Sequence, residues 1–263
     1  MAGGRYPLRA EAGVYPDDLD RAIADGLRSG QQLAPGITVG PFKIITDGSL
    51  NTRTAHCVEP YLTVSPPEYG AMNFPPADIA AILTRAQEAG FWLAVHAIGD
   101  EANRIILDIF HEHGLRGRIE HAQLVREEDF PRFSKLGIAA SVQPEHAVDD
   151  RDVTDVYWAD RSTRAFALRR LVDSGATLVL GSDAPVSPLD PWVSIAAAVT
   201  RTRDGRDPWH HEQALTLEEA LVCSHRSSLE VSQPADIAVL DADPAWLMDA
   251  LGADMAKASD ALR

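Results

Sequence analysis

The sequence predicts an α/β fold built on a parallel sheet, and three observations carry that prediction. Short apolar runs recur along the chain without the alternation of polar and apolar residues that a half-solvated strand shows. Strands covered on both faces read this way. Amphipathic stretches lie between these runs, and glycine follows several of them, so the pattern strand, helix, glycine, strand repeats as βα units. The length, 263 residues, is close to the ~250 of a complete eight-stranded α/β barrel.

The strands expected in order are residues 42–46, ending at Asp47-Gly48; residues 91–96; residues 117–121; residues 138–142; and residues 177–180, closed by Gly181-Ser182-Asp183. The first helix expected covers 76–89, where Ile79, Ile82, Leu83 and Ala86 keep helical spacing. Asp100 is placed to cap a second helix through Ile105, Ile106, Ile109 and Phe110. Residues 127–136 and 161–173 are further helices. Gly90, Gly114, Gly137 and Gly175 supply the stops. Residues 61–76 form a proline-rich loop long enough to cover a site. Towards the end, Thr216 caps a helix holding Leu217, Ala220 and Leu221, residues 234–241 read as a strand, and residues 246–262 as an amphipathic helix.

Charge and cysteine usage narrow the function. Lys and Arg number 24 against 39 Asp and Glu, a net charge of −15. An excess of acid disfavours nucleic acid and anionic membranes as partners, since both select clustered Lys and Arg. A small-molecule substrate is the expected partner. Two cysteines, Cys57 and Cys223, are too few for a disulfide framework or a four-thiolate zinc site, and they suit a reducing compartment. No apolar signal core follows Met1, and the longest apolar stretches, such as 192–199, are far short of a membrane span. The expected location is the cytoplasm.

Chemistry is concentrated at strand ends. Lys43, His96, His121 and Asp183 each lie within or at the C-terminal end of an expected buried strand. Ligands bind at that edge of parallel α/β sheets. Burying an unpaired polar group costs about 1–3 kcal/mol, so lone histidines and aspartates are not placed there for stability. Taken singly, each has an ordinary explanation: a satisfied histidine, a turn-capping Asp183, a Lys43 paired to Asp47 or a neighbour. Two imidazoles and a carboxylate on successive strands instead suit a divalent metal such as zinc. His146, after the fourth strand, either faces the same cavity as a substrate contact or is structural. Arg53, in Gly48-Ser49-Leu50-Asn51-Thr52-Arg53, could meet a substrate. His111 and His113 end a helix and face different directions, so they read as solvated. No serine nucleophile elbow, phosphate loop or dinucleotide fingerprint is present.

Phe42-Lys43-Ile44-Ile45-Thr46-Asp47-Gly48-Ser49-Leu50 with Arg53-Thr54-Ala55 resembles a signature of the amidohydrolase superfamily. So do Val95-His96-Ala97-Ile98-Gly99-Asp100, Arg118-Ile119-Glu120-His121-Ala122, Val142-Gln143-Pro144 and Gly181-Ser182-Asp183-Ala184-Pro185-Val186. Ala235-Asp236-Ile237-Ala238-Val239-Leu240-Asp241 is similar to the strand returning to that family's small β-sandwich. The subgroup holding N-substituted formamide deformylase is the nearest in pattern. The resemblance implies a partial TIM-type (β/α)8 barrel over residues 1–228, about five of eight βα units, followed at 229–263 by a β-sandwich remnant and a helix.

The resemblance also implies roles. Lys43 would be the metal-bridging, often carboxylated lysine; His96 and His121 metal ligands; Asp183 both a ligand and the proton-transferring base and acid. One or two divalent ions, zinc first, would activate water to hydrolyse a carbon–nitrogen bond such as an amide. The family's first strand carries a His-x-His pair that no strand here carries, and the lysine motif stands at position 43 rather than far into the chain. The chain therefore reads as the C-terminal part of such an enzyme. Two other readings follow from the residues: an impaired fragment serving as a binding or oligomerising module through an open sheet edge, and a metal-free acid–base pair of Glu120 and Asp183.

Overall fold

A computed structural model describes residues 9–203 and 205–225, with positions 231, 237, 239, 240, 243 and 244 beyond them. Its centre is a seven-stranded sheet curled into a half-barrel. In chain order the strands are β1 (Ala10–Val14), β2 (Gln32–Ala34), β3 (Ile37–Ile45), β4 (Leu93–Ala97), β5 (Gly117–His121), β6 (Ala139–Val142) and β7 (Leu178–Leu180). The order across the sheet is β1-β3-β4-β5-β6-β7, with every pair parallel; β2 adds to β3 antiparallel.

The helices are α1 (Leu19–Ala24), α2 (Pro76–Glu88), α3 (Asp100–His113), α4 (Phe130–Leu136), α5 (Pro144–Asp149), α6 (Arg151–Tyr157), α7 (Leu168–Asp173), α8 (Pro191–Thr200) and α9 (Leu217–Ser224). Ile79, Leu83 and Ala86 of α2, Ile106, Leu107 and Phe110 of α3 and Phe133 of α4 are buried in one apolar cluster with Phe42, Ile44, Val95 and Ile119 of the sheet. That burial is the main stabilising term, at about 25 cal/mol per Å² of apolar surface removed from water. Gly90, Gly114, Gly137 and Gly175 all follow their helices with positive φ, the backbone region that stops a helix and favours glycine. Thr216 closes α9 with a full capping box through Glu219.

The structure corrects several expectations. The sheet begins earlier than expected, because β1 and β2 precede position 42; β1 is small and mostly exposed, and β2 has three residues, so neither shows an apolar run. The strands are not equally covered on both faces. Phe42 and Ile44 are buried, whereas Ile45 is 44% and Val179 40% exposed, because no layer covers the concave face among the described residues. Asp100 does not cap α3; it is the first helical residue, and its carboxylate turns to the Val58 N–H and to Arg164. Residues 161–173 do not form one helix: a single turn at Ser162–Arg164 is separated from α7 by Phe166, whose φ is 49°. Helices α5, α6 and α8 carried no clear signal. The expected strand at 234–241, the helix at 246–262 and the boundary at 228 lie outside the described residues, apart from isolated positions.

Candidate metal centre

The concave face collects the polar residues of the sheet. Pleating puts alternate residues on opposite faces, and register aligns Lys43 with Ala94 and Arg118, and His96 with Glu120 and Ser141. A groove of about 350 Å³ runs over this face, lined among others by Glu11, Lys43, Arg118, Glu120, His121 and Asp183. Its volume falls in the range of small-molecule sites.

His121 reaches the groove against simple alternation. It shares the parity of Ile119, which faces the buried side. At the end of β5 the chain enters the left-handed region at His121 (φ 72°) and Ala122 (φ 42°), and the imidazole joins the concave side. Asp183, just past β7, has φ 55°. Non-glycine residues in this region carry strain of about 1–3 kcal/mol, which accumulates at functional sites.

The three histidines form a row. His96 meets His121 edge-on at 4.5 Å between ring centroids, and His121 stacks with His146 at 5.9 Å and 15°. Ligand atoms of His121, His146 and Asp183 lie within 4.8 Å of one another. Burial, then the neighbouring His96, Lys43 and His146, push the His121 imidazole down to about 2, with Gln143 acting the other way. His96 is pushed down to about 4, chiefly by burial. Both rings are thus held neutral, the form that binds metal. Two buried nitrogens, Nδ1 of His121 and Nε2 of His146, have no hydrogen-bond partner. Two imidazoles and a carboxylate make an N,N,O donor set, so the residues present fit a divalent metal.

Lys43 lies between charges. Burial lowers its pKa, Glu120 and Asp183 raise it, and Arg118 lowers it. Its expected pairing with Asp47 is not the arrangement found. The Asp47 carboxylate accepts from the backbone N–H groups of His56, Ile98 and Gly99 at 2.9–3.0 Å and lies 3.5 Å from His96 Nε2. His96 Nε2 is also 3.3 Å from the Gly48 carbonyl. Burial pushes Glu120 up, but Lys43 and Arg118 outweigh it and hold the carboxyl below its usual range. Arg118 Nε donates to Glu120 at 2.6 Å. A carboxylate held in its ionised form is a poor general acid, which weighs against the metal-free Glu120–Asp183 pair.

Arg53 is engaged on the loop after β3, donating to Glu68 at 3.2 Å and to the Tyr157 hydroxyl at 3.3 Å. His111 and His113 end α3 and are exposed, as expected of a solvated helix end. His210 bonds Ser162 and Glu212.

The groups that hold the site in place were harder to read. Asp47 and Asp100 clamp the chain at 56–58 onto the β4–α3 connection. Asn103 donates its side-chain amide to the carbonyls of Ala97, Gly99 and Leu124. A Cβ on Gly99 would stand 2.0 Å from the His56 carbonyl oxygen, so the motif needs glycine there for close backbone approach. Asp47 was open to the strand-end argument used for His96, but its position before Gly48 reads equally as a turn.

A half-barrel with histidines and an aspartate at its strand ends defines a class. The sequence profile described as the amidohydrolase family matches residues 1–250, and the chain belongs to that family. YtcJ of Bacillus subtilis (strain 168), named as an amidohydrolase, is 32% identical over 92% of this chain and 49% of its own length. N-substituted formamide deformylase of Arthrobacter pascens is 26% identical over 66% of this chain and 36% of its own. The crystal structure of an uncharacterized metal-dependent hydrolase from Pyrococcus horikoshii OT3 superposes with a TM-score of 0.74 at 32% identity, covering 81% of this chain and 44% of that one. The chain spans about half the length, or less, of the curated relatives it matches. Among the described residues no helix is long and apolar enough to cross a membrane.

Proposed function

We propose that this chain carries the metal-binding half of a hydrolase acting on carbon–nitrogen bonds other than peptide bonds, such as amides of a small molecule. The observation that carries the reading is the convergence of His121, His146 and Asp183 beside a groove of about 350 Å³ in an amidohydrolase-family chain. The deformylase relative favours an amide over an ester. Zinc fits the donor set better than magnesium or calcium, which select all-oxygen sites. His121 and Asp183 would hold the ion, with Lys43 and His96 as the further ligands that the family pattern assigns. A bound divalent ion polarises the substrate carbonyl and lowers the pKa of water from 15.7 towards 7.

The chain's own residues do the rest. Asp183 accepts the proton of the attacking water on a carboxylate oxygen and returns it to the leaving nitrogen. His121, kept neutral by burial, leaves its lone pair free. Lys43 lies beside Glu120 and Asp183, and burial lowers its pKa, which favours the neutral amine that metal binding or carboxylation needs. Arg53, in the loop after β3, is the substrate-side group. A reducing, cytoplasmic setting matches two cysteines that form no disulfide.

The test is turnover of a panel of N-formyl and N-acyl amines by the chain with zinc. Asp183→Asn should lower kcat by about 10²–10⁴, and chelation should abolish turnover. Undiminished turnover after exhaustive chelation would contradict the reading.

A second reading, a binding or oligomerising module, draws support from the sheet edges. Strands β1 and β7 each pair on one side only among the described residues, and unpaired edges recruit further strands. Light scattering on the eluted chain decides it: a monomer across concentration argues against edge pairing.

A further inference from the structure

We propose that Gln123 is a positioning residue for His121, acting through one buried water that Gln123, His121 and His146 hold together. The inference rests on the metal-dependent reading above, in which His121 holds the ion, and names what fixes that ring. His121 borders two spaces. One is the groove it shares with Lys43 and Asp183. The other is a cavity of about 10 Å³ bordered by Gln123, Gln143 and His146, which Asp183 does not reach. Nδ1 of His121 is buried without a partner, so Nε2 is the nitrogen left for the groove. A neutral ring that gives Nε2 to a metal carries its proton on Nδ1, and that N–H needs an acceptor.

Three polar atoms of the residues around this cavity lack a partner: Nδ1 of His121, Nε2 of His146 and the side-chain amide nitrogen of Gln123. Gln123 is only 3% exposed. Val142, Phe166, Leu168 and Leu171 make much of the remaining wall apolar. A space of about 10 Å³ takes roughly one water, which needs two to four polar partners. Donors and acceptors balance around it. The Gln123 amide and His121 Nδ1–H donate to its two lone pairs, and it donates to Nε2 of His146. Gln143 gives its amide N–H to the Ser141 carbonyl at 3.2 Å, which leaves its side-chain oxygen for the second hydrogen of the water. Two hydrogen bonds of about 2.8 Å at a tetrahedral angle span about 4.6 Å, and a ring nitrogen of His121 and one of His146 lie within 4.8 Å. Gln123 is itself held, because its backbone carbonyl accepts from the Phe166 N–H at 2.6 Å.

The test uses the full 263-residue chain, nitrogen-15 labelled and loaded with zinc. Long-range proton–nitrogen spectra should place the His121 proton on Nδ1, with a cross-peak to a long-lived bound water. Co(II) titration of the metal-free chain, followed by visible absorption, gives the affinity. Gln123→Met keeps the side-chain length and removes the amide. It should lose the water cross-peak and weaken cobalt binding at least tenfold, since partners that orient a metal ligand are worth about 10–100-fold. Gln123→Asn keeps the amide and should stay within about threefold of the parent, below that range. A purely structural Gln123 would shift the melting temperature and leave cross-peak and affinity unchanged. Absence of the cross-peak from the zinc-loaded parent, or a folded Gln123→Met within about threefold of the parent, overturns the inference and leaves the metal-dependent reading intact. Where Gln123→Met fails to fold by circular dichroism, the cross-peak of the parent decides. A folded parent chain that binds neither cobalt nor zinc overturns both.

Discussion

His121 and His146 stack with ring centroids 5.9 Å apart and planes 15° from parallel, and each keeps one buried ring nitrogen without a partner. An unsatisfied buried polar atom costs about 1–3 kcal/mol. A divalent ion held at the proposed site would bind the folded chain alone and so link ligand binding to fold stability.

Zinc should therefore raise the melting temperature. At a free concentration a hundredfold above Kd, binding to the folded state alone adds about 2.7 kcal/mol, or roughly 5–10 °C for a chain of this size. Differential scanning fluorimetry with zinc and with a chelator measures the difference. A midpoint indifferent to zinc would count against the site.

Gly99→Ala should open the clamp over the β4–α3 connection. Its Cβ would stand 2.0 Å from the His56 carbonyl oxygen, so the backbone must shift. Overpacking of this kind costs about 1–3 kcal/mol. A lower urea midpoint, together with faster proteolysis between residues 46 and 75, is the expected result.

Asn103→Leu keeps the volume and removes the donor. Asn103 is fully buried and its amide serves the carbonyls of Ala97, Gly99 and Leu124. Leaving those acceptors unpaired should cost about 1–3 kcal/mol. Chemical denaturation should show an unchanged slope and a lower midpoint.

Glu219 should tie stability to acid pH. Arg169 and the Thr216 cap hold its carboxyl down at about 2, against an ordinary value of 4.5. Because the folded value is the lower one, the contribution is complete above pH 4.5 and fades as pH falls towards about 2. Glu219→Gln should melt below the parent at pH 6, with the gap closing by pH 2–3; a constant gap would refute the assignment.

Much of the fold was legible because it is local. Five parallel strands, the α2 and α3 helices and their glycine stops follow from apolar runs and from residues such as Gly114 and Gly137, whose positive φ the sequence pattern implies. β1 escaped because Ala10–Val14 has little apolar side chain to bury. The 161–173 stretch is not one helix because Phe166 takes a left-handed turn and its N–H bonds the Gln123 carbonyl, a contact 43 residues away in sequence that no local pattern encodes.

The sequence by itself determined the residue types at the strand ends, Lys43, His96, His121 and Asp183, since the βα repeat puts them on one sheet edge whatever the details of packing. Tertiary structure decided which of them meet. His121 crosses to the concave face only through its left-handed backbone. His96 is drawn to Asp47 and the Gly48 carbonyl. His146 arrives from the next βα unit to take the place beside His121. Ligand geometry depends on distances of an ångström between distant segments, and only the packed, curled sheet sets those distances.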